Sequence, residues 1–208
     1  MSESAPFITF HGIDGTGKTT AVTTTVEMLR EEGIQAADYD ELGIINPFSA
    51  AKKAVVAQAS PSAQLAYFIG STMYQGEQIN SLTASGLSIV KGRYIDDVIA
   101  HHGHLGVSNS DNIAESFPIK QPDLRVVLTL EEEERRKRIE ARGIHDEKDL
   151  QVVEEGSRLQ YFQNTLLRIA DKYAAQGTAI VINTANITPE GIATQAISNL
   201  RNRNLLPN

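Results

Sequence analysis

The sequence predicts an α/β fold in which a parallel sheet of about five strands carries helices on both faces. Three observations support this. Short apolar runs alternate with segments whose apolar residues recur at helical spacing. The stretch Gly12-Ile-Asp-Gly-Thr-Gly17-Lys18-Thr19 matches G-x-x-x-x-G-K-[ST] and lies between the first apolar run and the first helical pattern. The 208 residues suit one domain of ordinary size, residues 1–208, with a core large enough to need no staples; the chain has no cysteine to make them.

Taken in order, Phe7-Ile8-Thr9-Phe10 reads as a buried strand, and from Thr19 onward Val22, Val26 and Leu29 mark one face of a helix that Gly33 ends. Residues Ile34 to Tyr39 form a weak second strand, and Ala51 to Gln58 and Ser62 to Leu82 read as helices, the second keeping Leu65, Phe68, Ile69, Thr72 and Ile79 at helical spacing. A third strand, Leu87 to Val90, runs into Lys91-Gly92-Arg93-Tyr94, where another helix begins. Asp123 to Leu130 is the fourth strand, followed at once by a highly charged helix to Arg142. A long helix from about Leu150 to Tyr173 places Leu159, Phe162, Leu166, Ile169 and Tyr173 on one face; Thr178 to Ile182 is the last strand and Pro189 opens the last helix. Ligands of such sheets bind beyond the carboxyl ends of the strands, so the chemistry is sought in the loops after Phe10, Tyr39, Val90, Leu130 and Ile182.

The glycine-rich stretch has a definite physical use. Glycines let the backbone curl so that successive N–H groups point inward, the helix N-terminus adds partial positive charge, and Lys18 adds a full one. Residues Gly12, Asp14, Gly15, Thr16, Gly17, Lys18, Thr19 and Thr20 are the expected cradle for a nucleoside triphosphate, with the Thr19 hydroxyl as a Mg²⁺ ligand. The fold expected around it is the three-layer P-loop NTPase arrangement. Composition narrows the partners: 19 Lys and Arg against 26 Asp and Glu give a net charge of −7, a surface that repels nucleic acid polymers and leaves small phosphate ligands held by local clusters. The polar, acidic start and the lack of an apolar run near the roughly 18 residues that span a bilayer predict no membrane association and a cytoplasmic location.

From Phe7 to the C-terminus the chain resembles the thymidylate kinases. Phe7 to Thr20 is similar to that family's opening; Arg93-Tyr-Ile-Asp-Asp-Val-Ile-Ala-His-His-Gly103 resembles its Asp-Arg-Tyr segment and the helix that follows. Pro122-Asp123-Leu124 before the fourth strand and Lys137-Arg-Ile-Glu-Ala-Arg-Gly143, similar to the lid helix, also match. The resemblance implies a homodimeric kinase that uses ATP and Mg²⁺ to move the γ-phosphoryl group to a nucleoside monophosphate. It further implies that Arg93 contacts acceptor and transferring phosphates, that Arg138 and Arg142 belong to a lid over about residues 131–149, and that His101 and His102 replace a Tyr-Gln pair of the acceptor pocket.

Several positions depart from the family pattern. Gly92 stands where an acid precedes the arginine, Gly70-Ser71 where the long helix carries Asp-Arg, Asp40-Glu41-Leu42-Gly43 where Arg-Glu-Pro follows strand two, and His11 where a glutamate is common. Each lost arginine is a cation that would have held acceptor phosphate or base. The donor half is kept and the acceptor half rewritten.

Three charged segments carry both functional and structural readings. Glu131/Arg135, Glu132/Arg136, Glu133/Lys137 and Glu134/Arg138 have the i,i+4 spacing of a solvated salt-bridged helix, whereas Arg142 has Arg138 four residues before it and no acid; Arg135, Arg138 and Arg142 share a face suited to the γ-phosphate. Asp96 and Asp97 either hold Mg²⁺ through water, orient Arg93, or cap their helix. Asp40 and Glu41 either cap a loop or supply a general base for a neutral hydroxyl, for which Glu41 is the chosen candidate. His101, His102 and His104 lack a metal-binding spacing. The expected activity is thus ATP- and Mg²⁺-dependent transfer to a nucleoside monophosphate or related small acceptor. The alternatives are a kinase for a neutral hydroxyl and a non-catalytic ATP-binding module.

Overall fold

The computed structural model describes residues 4–141, 143 and 156–207. Its strands are β1 (Phe7–His11), β2 (Ala36–Asp38), β3 (Ser88–Gly92), β4 (Leu124–Thr129) and β5 (Ala179–Asn183). They pair in parallel in the order β2-β3-β1-β4-β5. The described helices are α1 (Lys18–Glu31), α2 (Lys52–Gln58), α3 (Pro61–Ala84), α4 (Ile95–His104), α5 (Ser110–Glu115), α6 (Glu132–Ala141), α7 (Gly156–Ala174) and α8 (Pro189–Asn202). The expected five-stranded α/β architecture is the one observed. β2 is shorter than its expectation, and β3 runs two residues further, to Gly92. The six residues of α5 are too few to show a helical period in the sequence.

Every residue of β1 is buried, as a central strand covered on both faces requires. Strand alternation then sorts its side chains. Ile8 and Phe10 pack with Val22, Val26 and Leu29 of α1 and Ile192, Ile197 and Leu200 of α8. Phe7 joins Leu65, Ile69 and Ile79 of α3 and Ile95 and Ile99 of α4 on the other face. Thr9 and His11 share the parity of Phe7, which sends both polar groups toward α4. In register beside Thr9 stand Lys91 of β3 and Arg125 of β4, so this one face of an apolar sheet carries four polar side chains.

α3 starts at a Ser60 cap with Pro61 in its first turn, and α8 repeats the device with Thr188 and Pro189. α6 is charged along most of its length and buries only Arg135 and Ile139. These two side chains set where it docks, which is against the loop after β1: a Cβ built on Gly15 would lie 2.8 Å from Arg135 Cγ and 3.2 Å from Ile139 Cγ1. The chain order reverses around β1, and the crevice beyond the ends of β1 and β3 opens where this fold class binds ligands.

Candidate functional site

The loop from Gly12 to Gly17 joins β1 to α1. Gly12, Gly15 and Gly17 have φ of 144°, 92° and 92°, a region that excludes ordinary side chains, and Gly17 is the N-cap of α1. The first bond into the helix runs from Ala21 N to Gly17 O, so the amides of Lys18, Thr19 and Thr20 have no helical acceptor and face an open crevice. Thr16 instead turns inward, its hydroxyl donating to Ile13 O at 2.8 Å. The nearly buried Lys18 ammonium donates to Gly12 O at 2.8 Å and Ile13 O at 2.9 Å and meets Asp14 Oδ1 at 3.3 Å. Burial, aided by the Arg93 cation, pushes Lys18 below the ordinary lysine range against the pull of Asp14 and Asp97. For Asp14, burial alone would raise the carboxyl, but Lys18 and Arg93 on either side hold it below the usual carboxylate range.

Gly12 packs against β4. A Cβ there would stand 2.6 Å from Leu128 O and 2.8 Å from Thr16 Oγ1, and both the backbone carbonyl and the tied hydroxyl have little room to yield. Gly12→Ala is therefore expected to cost roughly 3 kcal/mol or more, combining left-handed strain with a backbone clash. Gly33→Ala, with positive φ but nothing within 4 Å, carries the strain alone and should cost about 1 kcal/mol. Denaturant unfolding of the two variants measures the difference; equal losses would show that the clash is relieved.

The first crevice, of about 580 Å³, is walled by the phosphate-type loop, Asp38 at the end of β2 and Asp40 beyond it, Gly92 at the end of β3 and Arg93 beyond it, and Ile139 and Gly143 of the α6 segment. A second crevice of about 480 Å³ lies beside it and shares Gly92 and Arg93. Its walls carry the cations Lys52 and Lys91, the aromatic rings of Tyr67, Phe68 and Tyr94, and both His101 and His102. Arg93 has φ 62° and pairs with Asp14, so it reaches from the end of β3 to the phosphate-type loop. A side chain at Gly92 would meet only Val22 Cγ2, at 3.8 Å; glycine there is not forced by packing and leaves the junction wide. The space opposite Gly70-Ser71 is filled by the preceding loop: Asn46 Nδ2 donates to Ser71 Oγ at 2.9 Å, and a Cβ on Gly70 would approach Phe48 Cε1 at 3.1 Å.

Several sequence expectations are relocated. Asp96 is not beside the phosphate-type loop: its buried Oδ2 accepts from Arg125 Nε at 3.0 Å and lies 3.3 Å from His11 Nε2, so it is committed to core cations rather than to a metal. Glu41 ends a short 3-10 turn and is exposed outside both crevices, while Asp38 and Asp40 line the first. Asp40 is paired with Lys91, and burial raises the Asp38 carboxyl. Arg138 donates to Thr184 O at 2.7 Å beyond β5 and does not line the phosphate crevice. Arg142 lies outside the described residues. Of the arginines of α6 it is Arg135 that reaches the loop, donating through Nη1 to Asp14 O at 3.2 Å while two N–H groups hold Glu132 at 2.7 Å. Those two bonds, with help from Arg136, hold the Glu132 carboxyl at about 2.

Asp38 and Lys91 belong to no motif that marks them as site residues, and His11 departs from the family pattern. A signal existed for the last two: a lysine or histidine at the end of an otherwise apolar central strand costs burial energy and marks a partnered group. Among the described residues no group of three or more His, Asp or Glu side chains forms a metal cage, and no helix is long and apolar enough to cross a membrane.

A parallel sheet whose first strand feeds a glycine loop and a helix N-terminus defines a P-loop nucleotide-binding domain. The thymidylate kinase family profile matches residues 10–193. A thymidylate kinase of Bacillus velezensis is 24% identical over 183 residues, covering 82% of this chain and 86% of that protein. A thymidylate kinase of Carboxydothermus hydrogenoformans is 26% identical over 186 residues, covering 79% and 88%. The structure of thymidylate kinase from Candida albicans has the same fold, with a TM-score of 0.74 over 99% of this chain and 95% of that one at 19% identity. The chain belongs to the thymidylate kinase family. It is accordingly a nucleotide kinase in class.

Proposed function

We propose that this kinase moves the γ-phosphoryl group of ATP, with Mg²⁺, to a nucleoside monophosphate or a closely related small acceptor. The observation that supports it most directly is the pair of crevices, about 580 and 480 Å³, that meet at Gly92 and Arg93. One is built for polyphosphate, with free helix amides and Lys18; the other offers aromatic faces for a base and Lys52, Lys91 and Arg93 for an anion. The donor set fits the cofactor in a specific way. The exposed Thr19 hydroxyl and the Asp38 carboxylate on the crevice wall are hard oxygen donors that would hold Mg²⁺ together with phosphate oxygens. Bound Mg²⁺ would neutralise charge on the phosphates. Lys18 and the amides of Lys18 to Thr20 stabilise charge on the transferring group, and Arg93 bridges the two crevices. Arg135 of α6 keeps the loop in place through its bond to Asp14 O.

The acceptor differs from the family pattern in the way the rewritten positions indicate. Ser71 stands where the family resemblance has an arginine and is bonded by Asn46, so recognition is by neutral polar groups there and by Lys91 and Lys52 elsewhere. The hydroxyl-acceptor reading has one observation in its favour, the two carboxylates Asp38 and Asp40 facing the first crevice. A screen of ATP consumption across nucleosides, their monophosphates and hydroxylated metabolites separates the two. Monophosphates should exceed their parent nucleosides in kcat/KM by about 100-fold, the effect of roughly 3 kcal/mol from charge-assisted contacts. The reverse order would replace the proposal by the hydroxyl reading, and ATP binding without any acceptor-dependent turnover would leave the non-catalytic one.

A further inference from the structure

We propose that His11 is a positioning residue for phosphoryl transfer: through Asp97 it latches the start of α4 to the base of the phosphate loop and thereby fixes the backbone of Arg93. This rests on the role given to Arg93 above.

Arg93 needs such a device. Its φ of 62° is a conformation that costs a branched or long side chain of order 1 kcal/mol or more and persists only where the surroundings impose it. Its side chain is 55% exposed, so packing of the guanidinium does not impose it. The two flanking amides do. Arg93 N donates to Phe10 O at 2.9 Å, and the next amide, Tyr94 N, donates to Asp97 Oδ2 at 3.1 Å. With both peptide planes held, the torsions between them have little freedom.

The same Asp97 oxygen lies 2.5 Å from His11 Nδ1. His11 directly follows Phe10 and precedes Gly12, so two consecutive residues hold the Arg93 segment by two routes and the next opens the phosphate loop. Strand parity aims His11 at α4, and the ring has no freedom to turn: it is fully buried, with Nε2 at 2.7 Å from Thr9 Oγ1 and 3.3 Å from Asp96 Oδ2, itself held by Arg125. Burial disfavours a charged imidazole, but the Asp97 and Asp96 carboxylates outweigh both burial and the Arg125 cation, and the net direction is upward. The Asp96 and Asp97 carboxylates thus flank the imidazole, and Asp96 also meets Arg125, a buried cluster in which loss of one member leaves a carboxylate without its partner.

A buried ion pair that serves only the core would have none of these consequences for Arg93, and two amides distinguish the cases. Asparagine places an N–H donor where Nδ1 stands, toward Asp97; glutamine places one where Nε2 stands, toward Thr9 and Asp96. His11→Gln and His11→Ala should lower kcat about 10- to 100-fold with the KM for ATP within about twofold, whereas His11→Asn should stay within about fivefold of the parent. Amide exchange of Tyr94 gives a readout that needs no substrate: protection should fall about tenfold in the glutamine and alanine variants and be kept in the asparagine one. Equal Tyr94 protection in all three variants, or kcat losses that follow their melting temperatures rather than the Asn/Gln division, would overturn the latch. An inactive parent protein would instead count against the proposed function, and the exchange measurement would still decide the latch.

Discussion

Lys18→Ala is expected to abolish phosphoryl transfer, a fall in kcat of about 10³-fold or more, in a protein that stays folded. Lys18 supplies the loop's one full positive charge, and the loop geometry that positions it is set by Gly12, Gly15 and Gly17 and by the buried Thr16. Removing the ammonium leaves the carbonyls of Gly12 and Ile13 beside an open crevice, where water replaces its bonds. The loss of stability is accordingly small, about 1 kcal/mol. Turnover and circular dichroism measured on the same preparation test both halves of the statement. A folded variant that keeps its turnover would remove the donor-site assignment, since no other group on the loop carries charge of that sign.

Arg93→Ala is expected to lower kcat by about 10²- to 10³-fold and to change the KM for ATP far less. The reason is its place: Arg93 lines both crevices, and a cation between donor and acceptor is worth most when charge is spread over the transferring group. In the resting geometry it is neutralised by Asp14, a half-exposed partner from which bound phosphate can take it at little cost. Alanine at 93 keeps the positive φ, so the backbone strain is nearly unchanged and the kinetic effect belongs to the side chain. Arg93→Lys should restore little, because a point charge cannot grip two oxygens as a guanidinium does. Steady-state kinetics of the two variants with the best acceptor from the screen decide this; an effect confined to KM for the acceptor would make Arg93 a binding group rather than a bridge.

What the sequence made legible was local. The strand–loop–helix signal around Gly12 to Thr19 depends on neighbouring residues only, and the structure has β1, the loop and α1 where the pattern placed them. Arg93 was found because the end of a strand can be read from its own apolar run. The i,i+4 pairs of α6 are present for Glu132/Arg136, Glu133/Lys137 and Glu134/Arg138, since helical spacing fixes them without reference to the rest of the chain. Glu41 is displaced by a turn: directly after β2 the chain coils into a 3-10 turn over Tyr39–Glu41, which leaves Asp38 and Asp40 at the crevice and Glu41 outside it.

The remaining site residues depend on pairings that no local pattern encodes. Asp96 is taken by Arg125, 29 residues away, because β4 lies beside β1 and α4 packs over both. Arg138 is held by Thr184, 46 residues on, because β5 neighbours β4. His11 meets Asp97 across 86 residues for the same kind of reason. The sequence by itself determined the fold class, the phosphate loop and the position of Arg93, since periodicity, turn chemistry and a contiguous motif are properties of short segments. The strand order, the second crevice, the roles left to the carboxylates and the His11–Asp97 contact were decided by the tertiary structure alone, because each is a meeting of side chains brought together only when β3 and β4 close on either side of β1.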